Sequence, residues 1–206
     1  MLQLIKTMNK QILTFFLGIF ILSCNKIDST DYIIISGKIS NQQLDKVKLA
    51  NNKDTFTIDV VTNNFSDTLM ISEGYYNLIY GEQENLVYLK PGFDIQIQFV
   101  ESLKFTGKGA EENNYLMAKA ALSNELQKYL DYKYYAQLNE NDFLSLMDSI
   151  YDLQITLINE GEKQFASEFN FIEKNKLKYK SLSEKALYEV SRRIVTENKD
   201  LSVSPG

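Results

Sequence analysis

The chain has 206 residues, a net charge of −5 at neutral pH and no histidine. Without histidine it can form neither a Ser-His nor a Cys-His nucleophile, and it offers no imidazole to a metal ion. Its acidic balance disfavours nucleic acid and anionic lipid head groups as partners. A single cysteine, Cys24, allows no disulfide within the chain. No residue pattern indicates a metal site or a cofactor.

The N-terminal residues have the organisation of a secretion signal. Lys6 and Lys10 precede an apolar run over residues 12–22, with no acidic residue before Cys24. At 1.5 Å per residue this run covers only about 16 Å of helix, too little to cross a hydrocarbon core of ~30 Å. A positive start before a short apolar run predicts a cleaved signal peptide, here residues 1–23.

The residues around the predicted cleavage site fit a lipobox, Ile21-Leu22-Ser23-Cys24. We therefore predict that Cys24 is lipidated and attaches the mature chain to the membrane through its acyl chains. The alternative is an ordinary signal peptide or an uncleaved anchor with an incidental cysteine. Residues 24–31 would form a polar tether. The predicted location is the cell envelope, with the protein lipid-anchored and either facing the periplasm or in the outer membrane.

Residues 32–106 carry apolar side chains at every second position, in short runs separated by turn residues. Ile95, Ile97 and Phe99, for example, alternate with glutamines. Pro91-Gly92 is suited to a type II turn, because proline sets one φ angle and glycine supplies the positive one. This pattern predicts an antiparallel β-sandwich of about seven or eight strands.

Over residues 107–206 the spacing of apolar residues changes to three and four, which predicts three or four amphipathic helices and an α+β fold. One helix would begin at Asn139 and end at Gly161. The last helical stretch starts near Ser167 and either continues or restarts at the capping-box sequence Ser181-x-x-Glu184. Two stripes are predicted from this spacing: Phe143, Met147, Ile150, Leu153 and Leu157; and Leu187, Val190 and Ile194.

Tyrosines and carboxylates are the side chains that could form a site. Tyr132 and Tyr135 lie in a tyrosine-rich segment and could contact a glycan or a peptide, although helix packing is the favoured interpretation. Glu111-Glu112 is a pair of carboxylates beside a glycine-rich turn, and its position at a helix start favours a role in helix stability over acid–base catalysis.

Three segments together resemble the N-terminal region of TlpA/ResA-like thiol-disulfide oxidoreductases from Bacteroidetes-type bacteria. They are GYYNL at residues 74–78, LVYLKPGFDI at residues 86–95 and FTGKGAEENNYL at residues 105–116. The resemblance covers roughly residues 32–200. It implies a lipoprotein or periplasmic protein with a sandwich and a helical segment, followed in the family by a thioredoxin-fold domain with a Cys-x-x-Cys pair.

The chain departs from that family at the decisive point, because it contains no Cys-x-x-Cys pair and ends at Gly206, about where the thioredoxin-fold domain would begin. The expectation is a truncated or split family member, or a shortened form of one. Since disulfide exchange needs an attacking thiolate, we expect no catalytic residue and no enzyme activity in this chain.

The leading hypothesis is a lipid-anchored, non-catalytic accessory domain of a TlpA-type thioredoxin-like oxidoreductase. Its partners would be the membrane, through lipidated Cys24, and a thioredoxin-fold domain or redox protein, with a homodimer as one arrangement. The second hypothesis is an independent envelope lipoprotein that binds a glycan or peptide through Tyr132 and Tyr135. The third is a hydrolase that uses carboxylates alone.

Overall fold

In the computed structural model, the described residues are 31–40, 44–99, 102–198 and 201–202. The predicted signal peptide, residues 1–23, and Cys24 lie outside these ranges, as does the tether apart from Asp31. Among the described residues, no helix combines the length and the apolar character that spanning a membrane requires.

Eight strands form two four-stranded sheets that enclose a shared apolar core, as the alternating pattern predicts. One sheet has the order β4-β1-β7-β8 and the other the order β3-β2-β5-β6. The strands are β1 (Tyr32–Ile39), β2 (Lys46–Ala50), β3 (Thr55–Asp59), β4 (Asn64–Met70), β5 (Gly74–Tyr80), β6 (Gln83–Leu89), β7 (Asp94–Phe99) and β8 (Leu103–Lys108). The last strand therefore ends two residues beyond the predicted boundary at residue 106.

One strand pair differs from the predicted antiparallel arrangement. β1 and β7 run parallel, with Ile35 opposite Ile95 and Gly37 opposite Ile97, whereas every other recorded strand pair is antiparallel. A parallel pair needs a long connection, and here strands β2 to β6 provide it. The alternating pattern of Ile95 and Ile97 is the same in either direction, so the sequence does not reveal this pairing.

Two short turns shape the sandwich. The predicted type II turn is present, because the amide of Phe93 donates to the Lys90 carbonyl at 3.0 Å and Gly92 has a φ of 85°. A second turn has Thr62 and Asn63 at φ values of 50° and 61° and joins β3 in one sheet to β4 in the other. Two consecutive positive φ angles are characteristic of a type I′ turn.

Four helices follow the sandwich, which confirms the predicted α+β class. They are α1 (Ala110–Leu126), α2 (Tyr132–Tyr135), α3 (Glu140–Gly161) and α4 (Ser167–Thr196). The predicted start of α3 is correct: the side chain of Asn139 accepts a hydrogen bond from the amide of Asp142 at 3.0 Å. Its predicted end at Gly161 is also correct. α4 is continuous, so Ser181 lies inside the helix and does not begin a new one.

The helices pack on the sandwich through an aromatic cluster. The ring of Phe169 on α4 lies 4.8 Å from that of Tyr88 on β6 and 5.7 Å from that of Tyr115 on α1. At the junction, Gly109 has a φ of 96°, and a side chain there would collide with the ring of Phe93. The region Asp31–Gly206 is one compact unit, so the predicted sandwich and helical segments share one folded body.

A second, smaller core lies within the helices, away from the sandwich. The rings of Phe143 on α3 and Tyr188 on α4 stack 4.0 Å apart and nearly parallel, and the hydroxyl of Tyr188 donates to the Leu138 carbonyl at 2.8 Å. Met147 and Leu126 belong to the same buried cluster. This core fixes the chain between α1 and α3, including the short helix α2.

Candidate functional site

The most distinctive polar cluster in the described chain is centred on Glu173, whose side chain is completely buried on α4. Its carboxylate accepts hydrogen bonds from the hydroxyls of Tyr75 at 2.7 Å and Tyr115 at 3.3 Å. It also pairs with the ammonium groups of Lys119 at 2.5 Å and Lys176 at 3.1 Å. These donors come from β5, α1 and α4, so the cluster joins the sandwich to two helices.

Electrostatics keep Glu173 charged in spite of its burial. Burial alone would raise the pKa of its carboxyl group, but the hydrogen bonds and charges of Lys119, Tyr75 and Lys176 outweigh burial and lower that pKa. Burial and the adjacent carboxylate raise the pKa values of Tyr75 and Tyr115. Lys176 also lies over the Tyr75 ring, 3.5 Å from its centroid. The carboxylate is thus surrounded by donors, so we interpret the cluster as structural.

Two consecutive asparagines on α1 close one side of the sandwich. Asn113 accepts from the amide of Tyr88 at 2.8 Å and donates to the carbonyl of Tyr88 at 2.9 Å. Asn114 makes the same pair of bonds to Phe105, at 3.1 and 2.9 Å. Tyr88 is on β6 and Phe105 on β8, and each of these strands is one edge of its sheet. Each asparagine side chain therefore satisfies the backbone amide and carbonyl of one edge-strand residue, where a further strand would otherwise pair.

Both glutamates of the pair Glu111-Glu112 lie at helix starts, in line with the predicted role in helix stability. Glu112 is buried and accepts a hydrogen bond from the backbone amide of Ala166 at 2.8 Å, at the start of α4. A carboxylate at that position satisfies a free amide and complements the positive end of the helix. Glu111 is exposed in the first turn of α1. The two carboxylates therefore serve helix ends and are not gathered around a common cleft.

The two tyrosines predicted as ligand contacts lie in different environments. Tyr132 is 44% exposed at the start of α2 and could meet a ligand directly. Tyr135 is only 3% exposed, and its ring packs 5.3 Å from that of Phe143 in the helical core. A ligand could reach Tyr135 only after the core had opened, so the structure does not bring the two residues together on one accessible face.

A groove of about 800 Å³ runs between α1 and α3. The helices are antiparallel, since the ring of Tyr115 near the start of α1 lies 5.4 Å from that of Phe165 just after α3. Its floor is made of small and apolar side chains: Ala118, Ala121, Leu122, Leu153 and Leu157. Leu153 was predicted to extend the stripe of Phe143 and Met147, but the buried face passes through Gln154 instead and leaves Leu153 53% exposed.

The acidic side chains Glu125, Asp152 and Glu160 line the same groove. None of the three forms an ion pair with another described residue. A smaller adjoining cavity of about 220 Å³ shares Glu160 and adds Glu111. Within the described part of the chain, no lysine or arginine lines either cavity. The groove thus combines an apolar floor with carboxylates that form no ion pair with the other described residues.

The second half of α4 carries an exposed apolar face. Leu187, Val190 and Ile194, the predicted last stripe, are 52%, 54% and 65% exposed. The side of α4 that faces the protein instead carries Leu177 and Tyr188. This exposed stripe follows the spacing i, i+3, i+7 of one helix face. Its residues belong to neither core cluster of the described chain.

The described residues contain no group of three or more Cys, Asp or Glu side chains that is placed to hold a metal ion.

Comparisons of the chain with protein-family models, curated proteins and solved structures find no match in any of the three.

Proposed function

We propose that this chain is a lipid-anchored, non-catalytic accessory domain of a TlpA-type thioredoxin-like oxidoreductase. In this proposal, lipidated Cys24 holds the chain at the membrane, and the sandwich with its helices presents a surface that docks a thioredoxin-fold domain. The proposal needs no cofactor and no metal, because the thiols that exchange disulfides belong to the partner.

The observation that carries the proposal is the exposed stripe on α4. Three aliphatic side chains at helical spacing, each more than half exposed, form a contiguous apolar row on one face of α4. Burying such a face against a partner is favourable by about 25 cal/mol for each Å² of apolar area removed from water. The stripe therefore supports a role in protein association over one in chemistry.

The resembling segments supply a second line of support. Residues 74–78 form the first part of β5, residues 86–95 run from β6 through the type II turn into β7, and residues 105–116 join β8 to α1. Asn113 and Asn114 belong to the last segment; Asn113 bonds to Tyr88 in the second segment, and Asn114 bonds to Phe105 at the start of its own. The resembling residues thus build the joint between sandwich and helices, which suits an architectural role.

The docking proposal predicts that Val190→Gln combined with Ile194→Gln weakens binding to a TlpA-type thioredoxin-fold domain from the same genome. Each substitution removes apolar contact worth about 1 kcal/mol, so we expect Kd to rise tenfold or more. Isothermal titration with the full chain in detergent measures it. The matched control is Met70→Gln, because Met70 is 75% exposed on β4, away from α4; it should bind like wild type.

Three outcomes would contradict the docking proposal. They are an equal loss of affinity in Met70→Gln, no binding by the wild-type chain, and reduction of insulin disulfides by the purified chain above a blank. Self-association of the chain that disappears in the Val190/Ile194 variant would assign the stripe to a homodimer instead.

The anchor proposal predicts that cells expressing the wild-type chain incorporate labelled palmitate into it, whereas cells expressing Cys24→Ala do not. The thiol is the only one in the sequence, so no second site can substitute for it. Gel autoradiography of both proteins at equal expression makes the comparison. Equal labelling of the two would refute lipidation at Cys24.

A further inference from the structure

We infer that the groove between α1 and α3 is a binding site for a basic amphipathic helix of a protein or peptide partner. This inference is independent of the proposed docking of a thioredoxin-fold domain, because the groove and the stripe on α4 are different surfaces. It rests on the shape of the groove, its apolar floor and its carboxylates, which form no ion pair with the other described residues.

The shape of the groove suits a helix. Its residues on α3, from Ser149 to Glu160, recur at intervals of three and four, so they form a continuous row along the helix. At 1.5 Å per residue this row is about 16 Å long, or three helical turns. Two antiparallel helices with small residues between them leave a furrow that accepts the side-chain ridge of a third helix.

The floor of the groove supplies the apolar contact. Ala118 and Ala121 are exposed and leave space, while Leu153 stands 53% exposed beside them. A helix that inserts leucine-sized side chains over these alanines would cover Leu153 and complete the packing between α1 and α3. Recognition of an apolar helix face by a groove of this kind relies on anchors at i, i+3, i+4 and i+7.

The negative charge of the groove favours a partner with positive charge. Glu125 and Asp152 stand toward one end of the groove and Glu160 toward the other, because α1 and α3 are antiparallel. The occupant that complements this pattern carries lysine or arginine on both flanks of its apolar stripe. An acidic helix would place like charges against these carboxylates, which is a strong means of rejecting wrong partners.

The test uses fluorescence anisotropy with the full chain in detergent and a labelled synthetic peptide. The peptide has about 18 residues, enough to sustain helix formation, with leucines at i, i+3, i+4 and i+7 and lysines on both flanks. We expect micromolar binding that weakens as salt is added. A peptide with glutamate in place of lysine should not bind.

Matched triple variants separate the groove from general charge attraction. E125Q/D152N/E160Q should weaken binding of the basic peptide by about tenfold. D59N/E82Q/E84Q changes the net charge equally at exposed sites on the sandwich, and it should leave the affinity within about twofold of wild type. Circular dichroism should show that both variants are folded.

Several results would overturn the inference: equal weakening in the two triple variants, no weakening in either, or equal binding of the glutamate peptide. A dimer of the chain that Leu153→Gln dissociates in sedimentation equilibrium would also overturn it, because the floor would then belong to a second copy.

Discussion

Replacing Glu173 with glutamine should lower the free energy of unfolding by about 2–3 kcal/mol at pH 7. The substitution keeps the volume of the side chain but removes the charge that four donors surround. Lys119 and Lys176 are partly exposed, so water can partly replace the carboxylate at their ammonium groups. The expected loss is therefore below the 3–5 kcal/mol typical of a fully buried broken pair. Urea unfolding followed by circular dichroism measures it.

The effect of Glu173→Gln should depend on pH in a defined direction. The folded state lowers the pKa of Glu173 below its ordinary value of 4.5. A carboxyl with a lowered folded-state pKa contributes stability that is fully present above the unfolded pKa and is lost as pH falls through the folded pKa. The stability difference between wild type and variant should therefore be largest near neutral pH and shrink below pH 4.5.

The matched control for this effect is Glu84→Gln, which removes a carboxylate from an exposed position on β6. It should change stability by less than about 0.5 kcal/mol. A difference between wild type and Glu173→Gln that stays constant from pH 7 to pH 3 would show that the carboxylate charge does not stabilise the joint.

The strands and turns of this fold were predictable because their signals are local. Ile95, Ile97 and Phe99 alternate with polar residues, and a half-buried strand exposes every second side chain. Pro91-Gly92 specifies its turn through its own φ angles. The parallel pairing of β1 with β7 was not predictable, because it depends on which strands meet across the whole sandwich.

The helix faces were predicted less well because the buried side of a helix is decided by its neighbours. Gln154 is buried where the pattern favoured Leu153, and Tyr188 is buried where it favoured Leu187. Both departures leave an aliphatic residue on the surface, one in the groove and one on the α4 stripe. Sites where local preference and tertiary packing disagree are frequent places of function, which is why both surfaces are proposed as interfaces.

The contacts that join the sandwich to the helices, made by Glu173, Asn113 and Asn114, had only a weak signal in the sequence. Glu173 lies between Phe169 and Leu177 on the buried face of α4, at spacings of four residues. A carboxylate on an apolar stripe indicates a buried partner, but Tyr75, Tyr115 and Lys119 come from elements far away in the chain. Asn113 and Asn114 are recognisable as part of the resembling segments, yet only the structure shows that they bond to the two sheet edges.

Replacing Asn113 with alanine should cost about 3–4 kcal/mol of unfolding free energy, because it leaves the amide and carbonyl of Tyr88 without their partner and removes a hydrogen bond to the carbonyl of Gly109. Asn113 is completely buried, so water cannot replace the amide without opening the joint. Asn114→Ala is the matched control: its bonds to Phe105 are only partly buried, and the expected cost is about 1–2 kcal/mol.

Urea unfolding of both asparagine variants decides whether the Asn113 side chain holds the edge of β6. Equal costs for the two substitutions would mean that the buried hydrogen bonds to Tyr88 stabilise the protein no more than the partly buried ones to Phe105. If Asn113→Ala has the larger cost and also promotes aggregation, the asparagine protects a sheet edge as well as joining it to α1, because an uncovered edge strand can pair with another chain. The folded chain would then depend on this residue both for the contact between β6 and α1 and for resistance to aggregation.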